Sequence, residues 1–211
     1  MSNELQDKIF KAVMKRIQEI EEGPYVPIGV SNRHVHLSQE DLESLFGKNY
    51  RLTKLRDLKQ PGQFAANETV TLKGPKGEIQ HVRILGPIRS KTQVEISITD
   101  SFQLGISVPV RESGNIAGTP GIIIQGPKGI VKLKEGVIAA LRHIHVPPEF
   151  AAKFQLKDKD MVDVEVGKER KTIFKNVLIR VSKNYVLEMH LDTDEANAAG
   201  LRNGDIGKIV K

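Results

Sequence analysis

The chain has 211 residues, with 32 Lys and Arg against 26 Asp and Glu for a formal net charge of +6, six histidines and no cysteine. Without cysteine there is no disulfide, no thiolate zinc site and no cysteine nucleophile, so any metal must be held by nitrogen and oxygen. No apolar run reaches the roughly 18 residues of a membrane-spanning helix, the first twenty residues are too charged for a signal peptide, and a reducing cytoplasm suits such a chain. The basic surplus favours anionic partners. Aromatic residues make up only 5% and tryptophan is missing, so stacking platforms for nucleic acid are few, and a phosphate-bearing metabolite is the preferred class of ligand.

In chain order, residues 4–21 are predicted to form one amphipathic helix, with Ile9, Phe10, Val13, Met14, Ile17 and Ile20 at three- and four-residue spacings. Glu22-Gly23-Pro24 ends it. Such a helix either packs on its own domain or docks on a partner or protein shell, and an unpaired apolar stripe makes self-association plausible. From Val26 onward short strands and turns are expected. Arg33-His34-Val35-His36-Leu37-Ser38-Gln39-Glu40 comes first among them. In an extended strand His34 and His36 share one face while Val35 points to a core, and paired imidazoles suit a divalent transition metal.

Gly74-Pro75-Lys76-Gly77 and Gly126-Pro127-Lys128-Gly129 have the composition of hairpin tips. Their lysines are either plain solvated turn residues or cations that reach a phosphate. His81 reads as an ordinary half-exposed strand residue. In Thr92 to Ile98, Val94, Ile96 and Ile98 share one face and Glu95 lies with Gln93 and Ser97 on the other. That pattern alone makes Glu95 a solvent-facing residue, while a carboxylate there would also complete a two-metal site. The loop from Arg111 to Gly121 is glycine-rich and could cradle phosphate or simply connect two barrels; it matches no nucleotide fingerprint. Arg33, Arg89 and Arg142 are candidate phosphate clamps, since guanidinium binds such groups bidentately.

Arg142-His143-Ile144-His145-Val146-Pro147-Pro148-Glu149 nearly copies the first octet. One His-x-His pair arises by chance or as a satisfied buried pair, but two inside a repeated octet favour a metal. A second repeat follows: His145, Glu149, Leu156, Asp160 and Val164 recur as His190, Asp194, Leu201, Asp205 and Ile209. Each copy reads as a strand ending in His, a capped short helix, a turn and an apolar strand. Caps are expected at Ser38, at Pro147-Pro148 and at Asp192 to Glu195. Three histidine-bearing strands thus end beside helix N-termini, and their five imidazoles exceed the needs of one zinc with an open position. Two metals, or one metal and a general base, fit better. The helical segments are too few to cover both faces of a parallel sheet, so the expected fold is mainly β: two small β-barrels capped by short helices, plus the N-terminal amphipathic helix.

At Val30 to Ser38, Leu85-Gly86-Pro87-Ile88-Arg89 through Glu95, Ser113-Gly114, Arg142 to His145 and Glu188-Met189-His190, the chain resembles the PduL-type phosphotransacylases, also called phosphate propanoyltransferases. The resemblance runs from about Val26 to the C-terminus. It implies interconversion of a short-chain acyl-CoA (propanoyl or acetyl) plus phosphate with acyl phosphate plus coenzyme A, at two zinc ions between two barrels. It implies His34, His36 and Glu95 on one metal and His143, His145 and His190 on the other, with Arg89 aligning phosphate and Ser113 touching it. It divides the chain into helix 1–22, a discontinuous barrel 23–32 plus 141–211, and a barrel 33–140, with the active site at their interface. Acyl-CoA and phosphate are the implied partners, without nucleic acid or membrane; a homo-oligomer is expected from the apolar stripe of the N-terminal helix. The location is cytoplasmic, or a propanediol-degrading bacterial microcompartment whose shell or core proteins the N-terminal helix meets. A dinuclear hydrolase of a thioester or phosphoester, and a nucleic-acid-binding β-barrel protein with structural metals, are the alternatives.

Overall fold

Alternating apolar residues make strands the commonest regular element of this chain, and the computed structural model describes residues 3–210, excepting the side chains of residues 3, 4, 16 and 19–22. Helix α1 (Asn3–Glu22) opens the chain, followed by strands β1 (Tyr25–Ser31) and β2 (His34–His36), helix α2 (Gln39–Phe46), and strands β3 (Lys54–Asp57), β4 (Phe64–Lys73), β5 (Glu78–Gly86) and β6 (Gln93–Glu95). Helix α3 (Ile98–Leu104) leads to β7 (Val110–Arg111), β8 (Ile123–Gln125), β9 (Ile130–Lys132), β10 (Val137–Ala140) and β11 (His143–Val146). Helix α4 (Pro148–Lys153), β12 (Met161–Val166), β13 (Thr172–Val181), β14 (Glu188–Asp192), helix α5 (Thr193–Ala199) and β15 (Ile206–Val210) complete it. The mainly β expectation holds, and among the described residues no helix is long and apolar enough to cross a membrane.

Six strands close into a barrel in the order β1-β14-β11-β13-β12-β15. The remaining nine form a second, half-barrel sheet, β7-β10-β6-β2-β5-β4-β8-β9 with β3 on β4. Each encloses its own core: Ile28, Ile144, Val164, Ile179 and Met189 in the barrel, and Val35, Leu42, Leu72, Ile84 and Ile124 in the half-barrel sheet. Burying each such side chain is worth about 1.5–3 kcal/mol.

The two sheets share one local plan. In the barrel β1 runs parallel to β14, β14 antiparallel to β11, and β11 parallel to β13. In the half-barrel sheet β10 runs parallel to β6, β6 antiparallel to β2, and β2 parallel to β5. Strands β12 and β4 then add antiparallel to β13 and β5. The closing β1–β15 pair of the barrel has no counterpart among the described strands of the other sheet.

Helix caps follow the sequence. Ser38 accepts from the Asp41 backbone, Asp192 and Glu195 form a reciprocal capping box on α5, and Pro147 and Pro148 start α4. The C-terminal repeat is equally real: Asp160 accepts from Lys157 N and Asp205 from Arg202 N, and Val164 pairs with Ile209 across β12 and β15.

The two Gly-Pro-Lys-Gly segments are hairpin turns, and the structure gives them a packing task. The Lys76 backbone N–H donates to Leu104 O at 3.1 Å, and that of Lys128 to Leu45 O at 2.9 Å. Each turn thereby covers the carbonyl end of a helix, α3 or α2. A Cβ on Gly74 would meet Leu104 O at 2.1 Å, and one on Gly126 would meet Leu45 O at 2.6 Å, so only glycine permits the approach. Along α1, Ile9, Phe10, Val13, Met14 and Ile17 are all exposed, so this stripe is not buried against the chain's own sheets; Ile20 lies outside the described side chains.

Candidate active site

Strand register assembles two groups of side chains. His34 lies opposite Glu95, and His36 opposite Gln93, on antiparallel β2 and β6. Directly opposed residues share a face, so these four converge while Val35 and Val94 face the core. On β11 and β14, His143 lies opposite His190 and His145 opposite Glu188, with Ile144 and Met189 turned to the core. The ligand atoms of His34, His36 and Glu95 lie within 4.8 Å of one another, as do those of His143, His145 and His190.

Hydrogen bonds fix which nitrogens are offered. The Nδ1 atoms of His34 and His143 lie 2.8 Å from the carbonyls of Asn32 and Leu141. A carbonyl only accepts, so Nδ1 carries a proton in both rings, and in the neutral ring Nε2 keeps its lone pair. In His34 that nitrogen faces Glu95 Oε2 at 3.4 Å. A lone pair and a carboxylate at this separation require a cation between them, a proton or a metal. The buried Nδ1 atoms of His36 and His145 have no partner. These donor sets fit a divalent transition ion, which takes imidazole and carboxylate together.

The electrostatics point the same way. Burial works against charge on His34, but Glu95 outweighs it and raises the imidazole pKa. Burial likewise works against charge on Glu95, yet His34, His36 and the Ser113 hydroxyl hold its carboxyl well below the usual range. Burial, followed by neighbouring positive charge, pushes His36 down to about 3, His143 to about 4 and His145 to about 2. At neutral pH these three rings are neutral, the form that binds metal.

Around the first group, Ser113 Oγ donates to Glu95 Oε1 at 2.8 Å, and Gln93 Nε2 donates to the same oxygen at 2.6 Å. The Gly114 N–H donates to Gln93 Oε1 at 2.8 Å. Arg89 donates to His36 Nε2 at 2.8 Å and to Ser113 Oγ at 3.3 Å. Around the second group, Glu188 Oε2 lies 2.8 Å from His190 Nε2, its Oε1 lies 3.1 Å from Lys59 Nζ, and Tyr185 stacks on His145 with ring centroids 4.3 Å apart. Both groups line one cleft of about 940 Å³, together with Arg83, Arg89 and Arg180. Gln60 joins the sheets beside it, donating to Val186 O at 2.9 Å and accepting from Val186 N at 3.2 Å.

Several readings change in three dimensions. Glu95 is buried, against its strand pattern, because the histidine face of this sheet is covered by the barrel. Arg142 is not a clamp: it donates to Lys175 O and Glu195 and does not line the cleft. Arg33 does line it, but its guanidinium is tied to Asp100 at 2.7 Å. The turn residues Lys76 and Lys128 lie off the cleft. In the glycine-rich loop, Ser113 and Gly114 dock on Glu95 and Gln93 instead of forming a free anion cradle. His81 is exposed, at a bulge of β5 with φ of 57°, on the rim of the cleft.

Sequence reasoning did not single out Gln93, Arg180, Tyr185, Lys59 or Gln60, and it quoted Glu188 only within a motif. One signal was available. Gln93 and Glu188 each stand two residues before a metal-type ligand on the same strand, hence on its face.

A model of the family described as phosphate propanoyltransferase matches residues 27–202. A protein of Thermotoga maritima named phosphate propanoyltransferase is 55% identical over 206 residues, covering 97% of this chain and 98% of that protein. Proteins of the same name from Lachnoclostridium phytofermentans and Listeria monocytogenes are 52% and 48% identical, covering 96% and 100% of this chain and 96% and 98% of their own lengths.

Proposed function

We propose, from the premise that this chain belongs to the phosphate propanoyltransferase family and is therefore an acyltransferase, that it converts a short-chain acyl-CoA and inorganic phosphate into acyl phosphate and coenzyme A by direct transfer at two zinc ions. The observation that carries this reading is the pair of nitrogen and oxygen donor groups facing one cleft that is also lined by arginines. His34, His36 and Glu95 would hold one ion and His143, His145 and His190 the other. Zinc there supplies Lewis-acid chemistry, polarising a thioester and favouring departure of a thiolate.

The chain's own groups have distinct tasks. Arg89 and Arg180 bind the phosphate dianion; burial of Arg89, with the like charge of Arg180 close by, lowers its pKa against the pull of Glu95, so a bound anion relieves Arg89. Guanidinium planes also orient the phosphate for attack. Its oxygen bonds to the acyl carbon, the carbon–sulfur bond breaks, and coenzyme A leaves. Ser113 holds Arg89 and Glu95 apart at fixed distances. Its hydroxyl is spent on Glu95 and no imidazole activates it among the described residues, so the transfer passes through a ternary complex without an acyl-enzyme. The division into 23–32 plus 141–211 and 33–140 belongs to this proposal, with the reaction between the two units.

The test is an assay of propanoyl-CoA and acetyl-CoA with phosphate present or omitted. Acyl phosphate should form only with phosphate present, and coenzyme A should be released only then. Coenzyme A release at the same rate without phosphate would make the protein a hydrolase and overturn the reading.

The exposed stripe of α1 supports a second part of the proposal, that the helix docks on protein partners of a bacterial microcompartment. Deleting residues 1–22 should leave turnover intact and disperse the protein in cells; unchanged localisation would refute it.

A further inference from the structure

The shared strand plan assigns a partner to each ligand that lacks one in sequence logic. In the half-barrel group, Gln93 stands opposite His36 and donates to Glu95. In the barrel group the same position, opposite His145, is Glu188, which meets His190. The chemistry is complementary in both. An anionic ligand, Glu95, is held by an amide donor, and a neutral ligand, His190, is held by a carboxylate acceptor. A carboxylate on one ring nitrogen fixes tautomer and orientation, and raises the basicity of the other.

We propose that Glu188 is the positioning residue of the barrel group. It takes the His190 Nε2–H and so presents Nδ1 toward His143 and His145, while Lys59, from the loop between β3 and β4, anchors the carboxylate. This rests on the metal reading above. Three observations build the device. His190 Nε2 lies 2.8 Å from Glu188 Oε2, and Lys59 Nζ lies 3.1 Å from Oε1. The carboxylate lies over Gly29, where a Cβ would meet Glu188 Cδ at 2.8 Å; β1 leaves out a side chain where the carboxylate needs room. Gly29 is also the strand partner of His190, so strand, acid and ligand form one unit. Because Lys59 lies in the loop that joins β3 and β4 of the other sheet, the ligand geometry of the barrel depends on how the two sheets meet.

The experiment loads the full chain with Zn²⁺ and titrates it with a competing chelator, with Glu188→Gln, Glu188→Ala and Lys59→Met beside the wild type. Loss of such a partner weakens a metal by roughly 10- to 100-fold. One of two ions should therefore bind about that much more weakly in Glu188→Ala, less so in Glu188→Gln and least in Lys59→Met, the other ion unchanged. In a His143→Ala background the remaining ion should ignore Glu188→Gln. Two ions of unchanged affinity in Glu188→Ala would overturn the inference alone. Equal weakening of both would reduce Glu188 to a general structural role and overturn it as well. A wild-type protein that takes up no zinc would instead overturn the metal reading beneath it.

Discussion

The two histidine groups stand on the same arrangement of four strands and differ at one ligand: Glu95 occupies in the half-barrel sheet the place of His190 in the barrel. A divalent ion held by two neutral imidazoles and a carboxylate keeps one net positive charge, whereas three neutral imidazoles leave it two. With such ions bound, the barrel group would carry the larger charge on its ligands alone, offset by the Glu188 carboxylate on His190; Arg180 is the strand partner of His145. The supporting residues differ to match, an amide beneath the carboxylate and a carboxylate beneath the imidazole. One scaffold can therefore be tuned for two roles by exchanging a ligand together with its partner.

The largest effect that would break this comparison comes from removing a ligand on either side. His143→Ala and Glu95→Ala should each lose one zinc of two by elemental analysis, and both should abolish turnover, with circular dichroism unchanged because the opposite strand faces still bury Ile144 and Val94. Wild-type zinc content and rate in either variant would defeat the assignment of that group. Next comes Glu188, whose replacement sharpens the comparison by weakening the barrel ion alone. The smallest effect is expected from Arg89→Ala. A charge-assisted hydrogen bond is worth about 1.5–3 kcal/mol, so the KM for phosphate should rise roughly tenfold or more while that for coenzyme A holds. Steady-state kinetics with each substrate varied would check it, and equal losses in both would count against a phosphate role.

Much of the site could be read in one dimension because its geometry is local. His34 and His36, and His143 and His145, lie two residues apart on strands, which sets their common face without any tertiary knowledge. The repeat linking His145 with His190 carried the third histidine, and the capping residues Ser38, Pro147, Pro148 and Asp192 marked the helices that follow these strands. Glu95 was less legible. Its alternation with Val94 and Ile96 was correct, but alternation says only that the two faces differ, and here both faces are covered. Gln93 and Glu188 were concealed for the same reason, since a polar residue on a strand is ordinarily solvated. The Gly-Pro-Lys-Gly turns were recognisable as turns, yet their contact with the ends of α2 and α3 joins residues far apart in the chain.

By itself the sequence determined the strand-rich class, the nitrogen and oxygen character of any metal site, and the pairing of imidazoles, because side-chain alternation and residue chemistry act over two or three positions. Only the tertiary structure decided that the faces bearing these imidazoles turn toward one another, that Glu95 is buried and that Lys59 reaches Glu188. Those outcomes depend on register between distant strands and on the apposition of two sheets. Burial, which keeps His36, His143 and His145 neutral, exists only once both are in place.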